Sequence, residues 1–279
     1  MIIESLTGFV CRMLSRTHYG VNIRQTVPPT HSPLREFQSM QSVFFYALIP
    51  FVTFILGGIV AKIRQPSNTW RSVIQHFTSG VVFAVVAVDL LPGISKSHEP
   101  YEVAIGFSCG VILMLLIRAY AEKVEANQHK QEQVKIPIAM LGAVGVDVIV
   151  DGFLIGVSFA ANEQTGQFLT IALGLEMFSL GLALSVSLSI TKLHQITSIL
   201  IIMLLAAIVV ISAVLSHVLI QFIPSSSIPL LLAFGLASLL YLVTEELLHE
   251  AHKLPDNAYI TATFFIGFLL FLILSMLHG

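Results

Sequence analysis

Asp147, Asp151 and Glu176 are three carboxylates set inside two long apolar runs, 136 to 161 and 168 to 190. Asp147 and Asp151 are four residues apart, which places both on one face of a helix, one turn from each other. Two carboxylates so placed repel unless a cation or a proton lies between them. Ser179, three residues after Glu176, adds a neutral oxygen on nearly the same face. An all-oxygen, anionic site suits a hard or borderline divalent cation: carboxylate and water favour Mg, Ca or Mn and also accept Zn or Fe. The same groups can carry protons, so proton release when a metal arrives is a natural coupling. A charge at the centre of a bilayer costs roughly 2.5 to 3.5 kcal/mol on insertion scales, and three cost on the order of 8 to 10 kcal/mol. Acids retained at that cost face a bundle interior and mark an ion or proton path. The bland alternative is that they only tie helices together through hydrogen bonds.

The elements that must position these acids follow from composition. Hydrophobic residues make up 56% of the chain and charged residues 11%, against about 25% charged in an ordinary soluble domain. This implies an all-α, polytopic integral membrane protein. Apolar stretches of about 20 residues occur at 43 to 62, 72 to 92, 101 to 120, 136 to 161, 168 to 190, 196 to 222, 228 to 249 and 258 to 277. Eight spans with short connections predict antiparallel sequence neighbours in one bundle. Counting from a connection at 162 to 167, Asp151 is about ten residues deep and Glu176 about nine, each roughly 15 Å at 1.5 Å per residue. The two therefore meet at one level near the midplane.

Basic residues divide unevenly between the connections, the signal that orients a membrane protein. Lys62, Arg64, Arg71, Arg118, Lys123, Lys130, Lys135, Lys192 and Lys253 fall on one side, and Lys96 alone between spans on the other. Positive-inside places the first set in the cytoplasm, of a cell or inner membrane, and both termini outside. Residues 1 to 42 carry Arg12, Arg16, Arg24 and Arg35 on the outer side, with Pro28, Pro29 and Pro33. They lack the continuous apolar stretch of a signal peptide and read as a weakly ordered extension, with residues 43 to 279 as the membrane domain. Met40, just before the first span, is a candidate natural start. Cys11 and Cys109 are too few for a disulfide framework. A net charge of -2 says little about partners, and no basic stripe suggests nucleic acid. Membrane lipid and a divalent ion are the expected partners, with no prosthetic group.

Other polar residues in the spans can be ordered by depth. Asp89, before Leu90, Leu91 and Pro92, sits near the outer end of span two, where it can attract cations or cap a helix end. Glu245, Glu246, His249, Glu250 and His252 crowd the inner end of span seven, with His76 and His194 near the same side. Together they outline an outer mouth, a midplane site and an inner exit. Leu240, Tyr241, Leu242, Leu247 and Leu248 surround Glu245 and Glu246, whereas Glu250 and His252 read as a solvated helix end and His217 as a satisfied core histidine. Gly106 and Gly110 in span three, Gly152 and Gly156 in span four, and the small residues of span five allow close helix approach, so spans four and five are expected at the centre.

At these residues the chain resembles the ZIP family of divalent metal transporters. The segment from His76 through Gly80 to Asp89 and Pro92 is similar to that family's second span. Asp147, Val148, Asp151, Gly152 and Gly156 resemble its fourth-span His-Asn-x-x-Glu-Gly signature, and Leu175 to Leu184 its fifth-span ligand segment. The resemblance covers residues 43 to 279 and implies an eight-helix bundle with a central, often two-metal, site between spans four and five. It further implies uptake of zinc, iron or manganese toward the cytoplasm by an elevator-like movement, commonly as a homodimer. Asp147 stands at the family's His, Val148 at its Asn and Asp151 at its Glu, while Glu176 takes the place of an acidic ligand and Ser179 stands where a Glu is expected. Fewer nitrogen ligands make harder ions relatively better partners.

The expected function is transport of a divalent metal cation rather than catalysis. A related but non-transporting metal sensor or scaffold is the alternative, favoured by the changes at Val148 and Ser179. An intramembrane aspartyl protease needs two carboxyls facing across helices and sharing a proton. Here the obvious pair lies on one helix, and Gly145-Val146-Asp147 lacks the second glycine such enzymes would be expected to carry.

Overall fold

The computed structural model describes residues 33–97, 99–128, 138–191, 195–252 and 257–278. Its helices are α1 (Pro33–Ile63), α2 (Asn68–Val85, continued by Val86–Leu90 and Leu91–Ser95), α3 (Pro100–Gln128) and α4 (Ile138–Ala161). They are followed by α5 (Glu163–Ile190), α6 (Gln195–Ile220), α7 (Ile228–Tyr241, continued by Leu242–Leu247 and Leu248–His252) and α8 (Ala258–His278). No strand occurs among the described residues. Each helix contains a stretch long and apolar enough to cross a membrane, from Ser39–Ile63 to Ala258–Leu277, eight in all. An all-α polytopic bundle is what the composition implied, since a helix satisfies its own backbone polar groups in a medium that offers none. Residues 39–279 form one compact unit. The weak order expected of residues 1–42 falls mostly outside the described residues; of that stretch 33–42 are described, as helix.

One connection is shorter than the sequence implied. Asn162 alone separates α4 from α5: its side-chain oxygen accepts a hydrogen bond from the Gln164 backbone N–H at 2.8 Å, so the cap starts the new helix at once. Helix α5 therefore begins at Glu163 rather than near 168, and the depth count changes. Glu176 is thirteen residues from that start, roughly 20 Å along the axis, Asp147 fourteen residues from Ala161, roughly 21 Å, and Asp151 ten, roughly 15 Å.

Helix α5 is the most enclosed, with 67% of its most apolar stretch buried against 17% for α3 and for α8. Helices α2, α4 and α7 are also central, and the outward faces of the rest are apolar side chains suited to lipid. The tightest packing joins helices that run the same way, not sequence neighbours. Gly57 and Gly181 bring α1 against α5, where the Ser185 hydroxyl donates to the Gly58 carbonyl at 3.0 Å. Gly80 and Gly267 join α2 to α8, Gly106 and Gly110 join α3 to α7, and Gly152 and Gly156 join α4 to α6. At each of these glycines an added Cβ would strike a carbonyl of the partner helix, so no larger residue fits without parting the pair. Spans four and five are central, as expected; Gly152 and Gly156 dock on α6, while Gly166 of α5 packs on Phe159 of α4.

Side-chain contacts tie these pairs together: Gly58 of α1 meets Ile202 of α6, the Ser72 hydroxyl of α2 donates to the Ala251 carbonyl of α7 at 3.3 Å, and Gly235 of α7 meets the flexible end of the Leu154 side chain of α4.

Candidate metal centre

Helices α4 and α5 bring Asp147, Asp151 and Glu176 together, each offering an oxygen within 4.8 Å of the other two. All three side chains are enclosed, at 8%, 1% and 2% exposure. Asp147 Oδ1, Asp151 Oδ2 and Glu176 Oε2 are buried and have no hydrogen-bond partner among the described residues. That combination is informative, because buried polar atoms in folded proteins are nearly always paired. The spacing is also the right size: oxygens bound to one ion at about 2.0 to 2.6 Å lie no more than roughly 4 to 5 Å apart. Two unit charges 4.8 Å apart repel by roughly 3.5 kcal/mol at an effective dielectric of 20. Three such pairs come to at least about 10 kcal/mol, so the cluster needs a cation or shared protons to balance it. A divalent ion held by all three would give the buried oxygens a partner and cut the net charge of the ionised trio from -3 to -1.

Ser179 is buried one turn beyond Glu176 on α5. Ser158, which the sequence reading passed over, is fully buried with a hydroxyl that has no partner among the described residues. It lies seven residues after Asp151, hence on the same face of α4 two turns farther along, and that spacing was the available signal.

The candidates outside the centre separate sharply. Glu245 and Glu246 lie in a wide turn, Leu242–Leu247, where the Leu248 N–H donates to the Val243 carbonyl five residues back. Both are exposed, yet they serve different neighbours. Glu245 accepts a 2.6 Å charge-assisted hydrogen bond from Arg118 Nη1, and Arg118 Nε donates to Glu122 at 3.0 Å. Glu246 instead interacts electrostatically with Asp147, Asp151 and Glu176, and also with Arg118. Glu246 thus links the enclosed acids to the surface. Arg118 was read as part of the connection after span three; it lies within the apolar stretch Pro100–Lys123, and a lone cation at the end of such a run was the signal.

Asp89 is half-buried, with Oδ2 buried and no partner among the described residues. It sits in a second wide turn, Val86–Leu90, where the Leu91 N–H reaches the Val86 carbonyl. Pro92 accounts for that turn, because a proline inside a helix removes one donor and crowds the carbonyl four residues earlier. His76 is buried rather than facing an aqueous exit, and its Nδ1 lies 2.9 Å from the Ser72 carbonyl. His249 is exposed at the end of α7, Glu250 and His252 have no described side chain, and His194 lies outside the described residues. His217 behaves as the expected core histidine: Nδ1 faces the Gly156 carbonyl at 3.3 Å and Nε2 the Ser39 hydroxyl at 3.2 Å.

No protein-family model matches this chain, and no curated protein matches it either.

Proposed function

We propose that this protein carries divalent metal cations of the zinc, iron or manganese class across a membrane toward the cytoplasm, in the manner of the ZIP transporters it resembles. The observation that carries the reading is the enclosed trio Asp147, Asp151 and Glu176, whose unpartnered oxygens fit within one coordination sphere. The oxygen-only donor set favours harder ions over zinc relative to a histidine-rich site. Ser179 and Ser158 supply neutral oxygens near the path, with Asp89 toward the outer mouth and Glu246 toward the inner exit. The bulk of the Lys and Arg between spans lies at the end of the bundle where α7 finishes, so that end is the cytoplasmic one under the positive-inside rule and both termini are outside.

The resemblance implies an elevator-like movement of the helices that carry the acids. In such a movement side-chain contacts such as Leu154 on Gly235 are the ones free to break, whereas helices paired by carbonyl-contacting glycines move together.

The test is uptake of Zn, Mn, Fe and Cd into proteoliposomes holding the purified protein, beside an Asp151→Ala control. Saturable flux that the control loses supports transport and ranks the metals. Metal binding without flux replaces it with the sensor or scaffold reading. Peptide cleavage that requires Asp151 would overturn both and make the protein an enzyme.

A further inference from the structure

A second cavity, of about 290 Å³, opens between α5 and the α2 and α8 pair. Leu175 and Phe178 of α5 form one wall, Val73, Ile74 and Phe77 of α2 another, and Ile266 of α8 the mouth. Its lining is apolar apart from Thr78 and Thr263, and the Thr263 hydroxyl is spent on the Ile260 carbonyl at 2.6 Å. Ordered water needs two or more polar partners, and this lining does not supply them.

Both walls are held by backbone-close pairs, α2 with α8 through Gly80 and Gly267, and α5 with α1 through Gly57 and Gly181. Each wall is thus backed by a closely packed helix pair, and the apolar space lies between the two pairs. The mouth indicates what occupies it. Ile266 is 55% exposed and continues directly into Phe265, Leu269, Leu270 and Ile273, the exposed apolar face of a membrane-spanning helix. Depth agrees: Val73 and Thr263 are each five residues from the start of their helices, roughly 8 Å in. Phe178 is twelve from the end of α5, roughly 18 Å in. The cavity therefore spans one half of the hydrocarbon layer, on the side carrying the basic connections.

We infer that this cavity is a lipid site that takes one acyl chain of a bilayer phospholipid through the gap beside Ile266. A methylene occupies about the volume of a water molecule, roughly 30 Å³, so the cavity takes on the order of ten carbons. The chain rests against the face of α5 next to Glu176 and lies between α5 and the α2 and α8 pair. Its effect on transport rests on the proposed function; its binding does not.

The experiment reads binding without metal. In a Trp70→Phe background, which removes the single native tryptophan, Phe178→Trp, Phe265→Trp and Phe271→Trp are each reconstituted into phosphatidylcholine vesicles with mid-chain brominated acyl chains. Phe265 is exposed to lipid at 66% and Phe271 is enclosed at 1%, so they bracket the response. Quenching of Phe178→Trp emission close to that of Phe265→Trp is expected, reduced at least two-fold when Thr263→Phe fills the cavity. Quenching no greater than for Phe271→Trp, in protein with native helix content, overturns the site, as does red-shifted emission reporting water. If Thr263→Phe fails to fold, the comparison between Phe178→Trp and Phe271→Trp decides alone.

Discussion

Two acidic regions of this molecule differ in what balances them. At the centre, Asp147, Asp151 and Glu176 are enclosed, and each keeps a buried oxygen with no hydrogen-bond partner among the described residues; at the end of α7, Glu245 is exposed and grips Arg118 at 2.6 Å. In the second region the protein supplies the counter-charge and water supplies the rest. The first needs a cation or shared protons to balance it. Glu246, electrostatically linked to the central acids and to Arg118, is where the two regions meet.

Removing a central charge has the largest effect. Asp151→Asn takes away attraction worth at least about 3 kcal/mol per unit of cation charge, so metal flux in proteoliposomes falls on the order of 100-fold or more. The same change raises the melting midpoint of the metal-free protein in EDTA, since one like-charge repulsion is gone. A lowered midpoint would show that the acids hold the helices together, and the comparison would break.

Metal itself is the next probe. Mn or Zn at one hundred times its dissociation constant stabilises the wild type by about 2.7 kcal/mol, visible as an upward shift in thermal unfolding. Asp151→Asn does not respond, and an equal shift in both proteins would assign the metal to the surface acids. Glu246→Gln comes third: flux falls several-fold while metal-induced stabilisation persists. Loss of that stabilisation as well would move Glu246 into the centre and redraw the boundary between the regions. Glu245→Gln has the smallest effect, with flux within about two-fold of wild type, because an exposed ion pair contributes little. A large loss would make the Arg118 pair part of the transport path.

Much of the architecture was legible from hydropathy, since a run of about 20 apolar residues has few other uses. The central acids were legible for the same reason in reverse, as charges where charge is costly. The four-residue spacing of Asp147 and Asp151 fixed their shared face before any partner was known. Glu245 and Glu246 were visible only as a pair. Their division between Arg118 and the central acids depends on the wide turn at Leu242–Leu247, which no proline or glycine marks.

By itself, then, the chain determined the eight spans, the placement of acids inside two of them and the face that Asp147 and Asp151 share, because each is set by local composition and helical period. Tertiary structure alone decided that the tight pairs are α1 with α5, α2 with α8, α3 with α7 and α4 with α6, and that an apolar cavity remains between α5 and the α2 and α8 pair. The reason is physical: to an apolar helix, lipid and another apolar helix are nearly equivalent neighbours, so hydropathy carries no partner information. The choice falls to backbone contact at glycines and to the few buried polar groups, which act only once the helices are side by side.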